Sequence, residues 1–470
     1  RKILYALLLG SGLLAACSPS SSTSGEQRDP IDYVNPYLGS ISHLLVPTFP
    51  TVHLPNSMMR VHPQRTDYAA EQLEGLPLIL TSHRGISAFA LSPRTSLEDS
   101  VPAVTRYSYD QEEVKPYLYS VRLLEPEVSV GYAPAARSAL YTFDFEGQGS
   151  GRYLVFSTPD GQLRASGRSI SGWQQLSDST RVYLWAELSE APKALGLREG
   201  RTGRVQMQPD SVSGSSIVVA LSGDKGALRY GVSYISVEQA QRNVQREIQS
   251  YELKLVAKAG RNEWAKALDK IQVEGGTAAE RSTFYTSLYR TYERMVCISE
   301  EGRYWSAFDN KVHEDGGVPF YTDDWLWDTY RAVHPLRLLL DPEREQQMLT
   351  SLLRMAHQSP EGWLPTFPEV QGDTHRMNGS HTIATFADAY AKGVTGFNLA
   401  AAYAAAQRTL EEKSYLPWTR IPKGPLSKAL DERGYMPALR PGERESDPRV
   451  TLWEKRQSVA VSLAAAYDYW

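Results

Sequence analysis

The hydrophobic period of this chain changes once, near Ser236, and that change constrains the fold more than any other feature. Before it, short runs alternate with a period of two: Tyr119 to Leu123, Tyr141 to Phe145, Arg152 to Phe156, Arg181 to Trp185 and Ser216 to Ala220. Alternation rich in β-branched and aromatic residues predicts half-buried strands. Turn residues punctuate them at Gly147, Gly151, Pro159-Asp160-Gly161 and Gly223. No helical stripe interrupts the run, so the pattern predicts an antiparallel β-sandwich rather than a βαβ sheet. After Ser236 the spacing becomes helical. Val237 to Leu255 carries charged and apolar residues at helical spacing, and Trp264 to Leu268 continues the pattern after Gly260.

From Thr277 onward nearly every run reads as helix. Phe284, Leu288, Tyr292 and Met295 form one apolar stripe. Further helices are predicted over Trp325–Leu340, Glu343–Met355, Thr382–Ala391, Gly396–Arg408 and Thr451–Trp470. Sequential helix pairs joined by aromatic loops predict a toroid of α/α-hairpins. The fold class is therefore multidomain β + α. A sandwich domain over 31–235 and a helical linker over 236–276 are followed by the first part of an α/α toroid over 277–470, about half of the whole.

The first 17 residues resemble a bacterial lipoprotein signal. A basic start, Arg1-Lys2, precedes an apolar run ending Leu14-Ala15-Ala16-Cys17. The run is too short to span a bilayer as a mature helix. Cys17 is the expected lipidation site, with residues 18–30 as a flexible tether. The chain is then expected to be exported and lipid-anchored, in the periplasm or at the cell surface. Two cysteines exclude a disulfide scaffold and a cysteine-rich zinc site. Cys297, the other one, reads as a buried structural thiol. A net charge of −4 over 470 residues gives no reason to expect a nucleic-acid partner.

Seven of the ten tryptophans lie beyond residue 300, so the polar chemistry is sought there. YTDDWLWDTYR at 321–331, EGWLPTFPEVQGDTHRMNGSH at 361–381 and TFADAYAKG at 385–393 concentrate Trp, Asp, Arg and His. Sugar pockets need that mixture: an aromatic face for the ring, and fixed carboxylates and guanidinium groups for vicinal hydroxyls. Asp328, beside Trp327 at a loop-to-helix corner, is the leading candidate for accepting sugar hydroxyls; the alternative is a helix cap. Trp327 would stack on a sugar or fill the core. Arg331 would bind a hydroxyl or form an ordinary i, i+3 pair with Asp328. His381 is a candidate in a glycine-containing loop, against a structural histidine. Asp323 and Asp324 diverge in direction and read as capping or solvated residues. Glu369 and Asp373 are weaker candidates. Met377 and Asn378 read as loop packing, Asp388 as structural, and Lys392 as a helix C-terminal cation.

Taken in order, these motifs resemble glycoside hydrolase family 92, exported calcium-dependent exo-acting α-mannosidases. VNPYLGS at 34–40, the Arg137-Ser138-Ala139 strand, FYTSLYR at 284–290 and WDTYRAVHPL at 327–336 carry the resemblance. So do MNGSH at 377–381, DAYAKG at 388–393, GYMP at 434–437 and SVAVSLAAAYDYW at 458–470. The resemblance implies inverting hydrolysis of terminal α-mannosides, with calcium as cofactor and mannose-containing glycans as partners. It places the acid and base on motifs downstream of the last helix. By that reading this chain is part of a longer enzyme, with a partly covered apolar stripe at Phe284 to Met295. The first loop departs from the family: Thr48 to Met58 lacks its glycines. Competing expectations are a non-catalytic carbohydrate-binding surface lipoprotein and another sandwich-plus-toroid enzyme, such as a phosphorylase or lyase.

Overall fold

The computed structural model describes residues 28–470 except 42–46, 66–69, 83–85, 148, 150, 201, 209 and 451–454. The signal sequence and Cys17 lie outside the described residues. Among the described residues, no helix is long and apolar enough to cross a membrane.

The N-terminal half is a sandwich of two antiparallel sheets. The larger has ten strands in the order 211–214, 161–166, 169–175, 181–188, 225–233, 138–145, 128–134, 118–123, 106–115 and 72–74. The smaller has six, in the order 205–208, 194–198, 216–220, 153–157, 87–94 and 76–80. Burial follows the sequence pattern. Leu118–Leu123 buries every second residue, and Ser216–Ala220 is buried throughout. Two buried tyrosines tie the sheets across the core: Tyr141 donates to the Pro77 carbonyl at 2.8 Å and Tyr230 to that of Leu78 at 2.7 Å. Each hydroxyl thereby satisfies a partner that burial would otherwise leave costly.

Helix α1 (Val237–Glu247) is capped by Ser236, whose side chain accepts from the Gln239 amide at 3.1 Å. It lies directly on the sandwich strand 225–233, at Gly231. A Cβ there would stand 2.2 Å from the Ala240 carbonyl oxygen, so only glycine allows the approach. Helix α2 (Leu253–Leu268) runs straight through Gly260, as the continued pattern predicts. The expectation of one run from 237 to 255 fails. Chain 248–252 leaves the helix so that α1 and α2 can cover different parts of the sheet, α2 lying on strand 128–134.

Helix α3 (Ala278–Thr291) starts with a capping box, Thr277 and Glu280. Its expected stripe is better covered than predicted: Leu288, Tyr292 and Met295 are buried, the first two packing with Trp264 of α2. The next stretch corrects the all-helical expectation. Short pairs at 296–297 with 321–322, and at 303–306 with 311–314, form two small hairpin-like sheets. The predicted helix 325–340 is likewise broken into α4 (Leu326–Thr329) and α5 (Val333–Leu340). Then come α6 (Pro342–Gln358), α7 (Thr382–Ala391), α8 (Leu399–Glu412), α9 (Pro425–Arg433), which the sequence reading omitted, and α10 (Ser458–Tyr469). Helices α5 to α8 pack on one another, with α6 touching α5, α7 and α8. The whole is a β-sandwich followed by a helical domain.

The halves are joined by polar contacts inside apolar surroundings. Trp264 is fully buried and donates to the His53 carbonyl at 2.6 Å. Asn56 donates to the carbonyls of Arg294 and Met295 at 3.1 and 2.9 Å. Glu300, also fully buried, accepts from the Tyr234 amide at 2.9 Å and from Asn243 at 2.7 Å. Cys297 is half-buried, more open than expected, in the wall of a cleft beside Arg137 and Arg344. Trp264→Ala should cost about 3–5 kcal/mol through the cavity it leaves, with the His53 carbonyl orphaned as well. Denaturant unfolding followed by near-UV circular dichroism checks this; a loss below about 1 kcal/mol would contradict the joint described here.

Candidate functional site

A cavity of about 190 Å³ opens where the sandwich meets the helical domain. The sandwich supplies Arg60, His62 and Ser82, and the helical domain Glu293, Arg294 and Trp325. Its size suits one small ring, well below the roughly 300–1,000 Å³ of drug-sized sites. A larger groove of about 690 Å³ between α7, α8 and α10 is lined mostly by alanine and aromatic residues. The small cavity is the better candidate because buried polar atoms in its wall lack partners among the described residues. His62 Nε2 and Ser82 Oγ are both in this state, and so is Oδ1 of Asp323 just behind Arg60. A buried polar atom without a partner carries a desolvation cost that a hydroxylated ligand would relieve.

Arg60 and Asp323 form a buried ion pair across the two domains. Asp323 holds a left-handed backbone, φ 65°, which carries its carboxylate inward to meet the sandwich arginine. The guanidinium of Arg294 lies over the Trp325 ring, 4.4 Å from its centroid, a cation–π contact at the cavity wall. Phe49 stacks on His62 at 4.2 Å. Burial drives His62 down to about 4, helped by Arg65 and Arg60, so the ring is neutral at physiological pH. Glu369, on the 368–369 strand, pairs with Arg376 at 3.0 Å. Burial, and then the like charge of Asp323, push Glu369 up to about 7.

Beneath the cavity lies a buried charged network. His334 bridges Asp324 at 2.7 Å and Glu345 at 2.6 Å, and Arg337 meets Glu345 at 3.0 Å. Arg337 also donates to the Arg294 carbonyl at 2.8 Å. The network therefore holds both cavity elements of the helical domain, the 323–325 turn and the backbone of Arg294. Burial alone would lower His334, but Glu345 and Asp324 prevail and raise it to about 9. Burial alone would raise Asp324 and Glu345; His334 and Arg337 outweigh it and hold both carboxyls low.

Of the residues picked from sequence, Asp328 sits exposed on the outer side of this wall, in α4. Partial burial raises its carboxyl, while Arg294, the nearest opposing charge, lowers it. Trp327 is half-buried, and Arg331 lies over its ring at 5.7 Å and over Tyr330 at 5.5 Å. His381 is buried away from the cavity: Nδ1 meets Asp468 at 2.8 Å and the ring stacks on Tyr330 at 4.2 Å. Asp323 and Asp324 correct the reading of capping or solvated residues, for both are almost fully buried and charge-paired. Asp373 serves its own loop, accepting from the amides of Thr366 and Phe367 at 2.8 Å each. Asp388 pairs with Lys392 along α7 at 2.6 Å. Arg60, His62, Ser82, Arg294 and Trp325 were not singled out from sequence. The adjacent Asp-Asp-Trp was the one available signal, because two successive carboxylates beside an aromatic seldom both stay in water when the chain turns inward.

Calcium requires six to eight oxygen ligands. Among the described residues no three His, Cys, Asp or Glu side chains converge as a metal site. Asp323, Asp324 and Glu369 are each engaged by a cation. The described carboxylates therefore do not by themselves make a calcium site.

Two family descriptions match the chain: the glycosyl hydrolase family 92 N-terminal domain over residues 33–233 and the glycosyl hydrolase family 92 catalytic domain over 239–470. No curated protein matches it. Among solved structures, a family GH92 inverting mannosidase from Bacteroides thetaiotaomicron is 24% identical, with a TM-score of 0.81, covering 95% of this chain and 62% of that one. A family GH92 α-mannosidase from the same organism, also solved with mannoimidazole, is 22% identical, with a TM-score of 0.78. That likeness covers 94% of this chain and 62% of the uncomplexed structure. The chain thus spans about three-fifths of the length of either structure.

The charged network sets a pH window. His334 is raised from 6.5 to about 9, so its stabilisation is complete below pH 6.5 and disappears as pH rises through about 9. The lowered Asp324 and Glu345 stabilise above their ordinary carboxyl range and lose that contribution as pH falls below it. Melting temperature should therefore decline between pH 7 and 10. His334→Gln should cost about 3–5 kcal/mol at neutral pH by uncovering buried carboxylates, and should flatten that alkaline decline. Melts of both proteins at each pH decide it; an unchanged alkaline slope in the variant would remove His334 from this role.

Proposed function

Because the chain belongs to glycoside hydrolase family 92, matched along both of its halves, we propose that the interdomain cavity is the terminal-sugar site of a glycosidase acting on α-mannosides. The observation that carries this reading is the set of unmet polar atoms, His62 Nε2 and Ser82 Oγ, in a ring-sized cavity walled by Trp325 and Arg294. The ring nitrogen and the hydroxyl would take hydrogen bonds from vicinal sugar hydroxyls. Trp325 offers an aromatic wall for the ring, and Arg294 a cation beside it. Asp328, close enough to Arg294 to feel its charge, would accept from a hydroxyl at the rim. Enclosure between two domains favours a chain end over an internal sugar, which fits exo-action.

Inverting hydrolysis needs two carboxyl groups roughly 6.5–9.5 Å apart, one to protonate the leaving oxygen and one to activate water. Glu293, the carboxylate in the cavity wall, and Asp323 and Glu369 near it are each engaged by an arginine, so these three hold the shape of the cavity rather than supply that pair. Calcium dependence belongs to the same reading, and calorimetric titration with calcium chloride tests it directly. Export with a lipid anchor at Cys17 belongs to the same reading.

The deciding experiment is saccharide binding and hydrolysis by the protein with a panel of methyl, aryl and disaccharide α-mannosides, with and without EGTA. Binding of α-mannosides in preference to α-glucosides and α-galactosides is expected. Equal or absent binding would remove the mannoside reading, and binding without hydrolysis would mark a recognition module. A charge-assisted hydrogen bond is worth roughly 1.5–3 kcal/mol, so Asp328→Ala should weaken mannoside affinity at least about tenfold with little change in melting temperature. In a bacterial host, Cys17→Ser should move the protein from the membrane fraction to the soluble one; retention in the membrane would contradict the anchor.

A further inference from the structure

A charged line leads outward from the cavity to an exposed tryptophan. Glu369 lies close enough to Asp323, Arg294 and Arg60 to share their fields. Its carboxylate is held by Arg376 at 3.0 Å, and the Arg376 guanidinium lies over the ring of Trp418, 5.8 Å from its centroid. Trp418 is 44% exposed. Its backbone is left-handed, φ 61°, and its amide donates at 2.5 Å to the carbonyl of His375, itself left-handed at φ 47°. Both are bulky residues in a sparsely populated backbone region. The turn they make holds nearly half of a large apolar ring out in solvent. With Arg376 against one side of the ring, the exposed area is left to the other face and the edge.

We propose that Trp418 is the platform for the second sugar ring of the substrate, on the leaving-group side of the sugar in the cavity. The proposal rests on the reading of that cavity as the terminal-sugar site. A pyranose turns one face of C–H groups, weakly positive, toward an aromatic π-cloud, and its hydroxyls outward to water. An exposed, rigidly held indole suits that face. Arg376 does double service: it fixes the ring by its cation–π contact and has a donor fork beside the sugar's rim hydroxyls. Stacking of this kind tolerates several linkages, because it reads a ring face rather than a particular hydroxyl.

Calorimetric titration of the protein with methyl α-mannoside and with α-mannobioses tests this. The disaccharides should bind about five- to tenfold more tightly than the methyl glycoside, the size of an aromatic contact of about 1 kcal/mol. Trp418→Ala and Trp418→Leu should abolish that advantage while leaving the affinity for methyl α-mannoside and the melting temperature unchanged; Trp418→Phe should keep most of it. A disaccharide advantage that survives in the alanine and leucine variants overturns the platform. A parallel loss for both ligands also overturns it, since Trp418 would then act on the cavity. If the unaltered protein binds neither ligand, it is the cavity reading that fails, and the platform falls with it.

Discussion

The buried pair of Arg60 and Asp323 is the contact on which the candidate site depends. It joins the short strand 60–61, which pairs with 52–53 beside the sandwich, to a helical-domain turn 263 residues later in the chain, with both side chains sealed from water. Breaking such a pair by removing one partner leaves a buried charge uncompensated, which is among the most costly single changes a fold can suffer. The pair therefore pins the separation of the two cavity walls. His62 is carried two residues from Arg60, and Trp325 two residues from Asp323. What the pair fixes in position, the network of His334, Glu345 and Arg337 supports from below.

This arrangement separates two jobs that aspartates and arginines perform in one small volume. Asp323, Asp324 and Arg337 serve geometry: each is buried and paired. Arg294 and Asp328 keep part of their surface open to ligand or water. The neutral His62 and the raised Glu369 show burial acting on the same small volume, moving ordinary groups away from their solution behaviour.

Much of the fold was legible because periodicity is a local property. Ser216–Ala220 and Thr382–Ala391 appear with the bounds the pattern gave. Failures came where tertiary contacts override local preference. The chain from 296 to 322 pairs in short strands that no alternation announces. The helix predicted over 325–340 breaks at 330–332, where α4 turns outward after Asp324 has turned in. The site was less legible than the fold, since half of its wall is sandwich. Arg60 and His62 look like unremarkable strand polar residues until the helical domain covers them. WDTYR lies beside the cavity with its polar residues on the outer side; the buried Asp323 and Asp324 lie just before it.

The tyrosine-bridged sandwich and the helix laid over Gly231 also order events in time. Every strand of both sheets lies between residues 72 and 233, and strand 138–145 waits for strand 225–233 before it has both neighbours. Once that strand has emerged, α1 follows within a few residues and covers it. Domains generally fold as units, the N-terminal one first as the chain is made. The sandwich can thus be complete while the helical half is still being synthesised. During that interval Arg60 and His62 stand at an open surface, and the later half is assembled against a finished template. One wall of the site is older than the other by the time taken to make about ninety residues, from the end of the sandwich at 233 to Asp323.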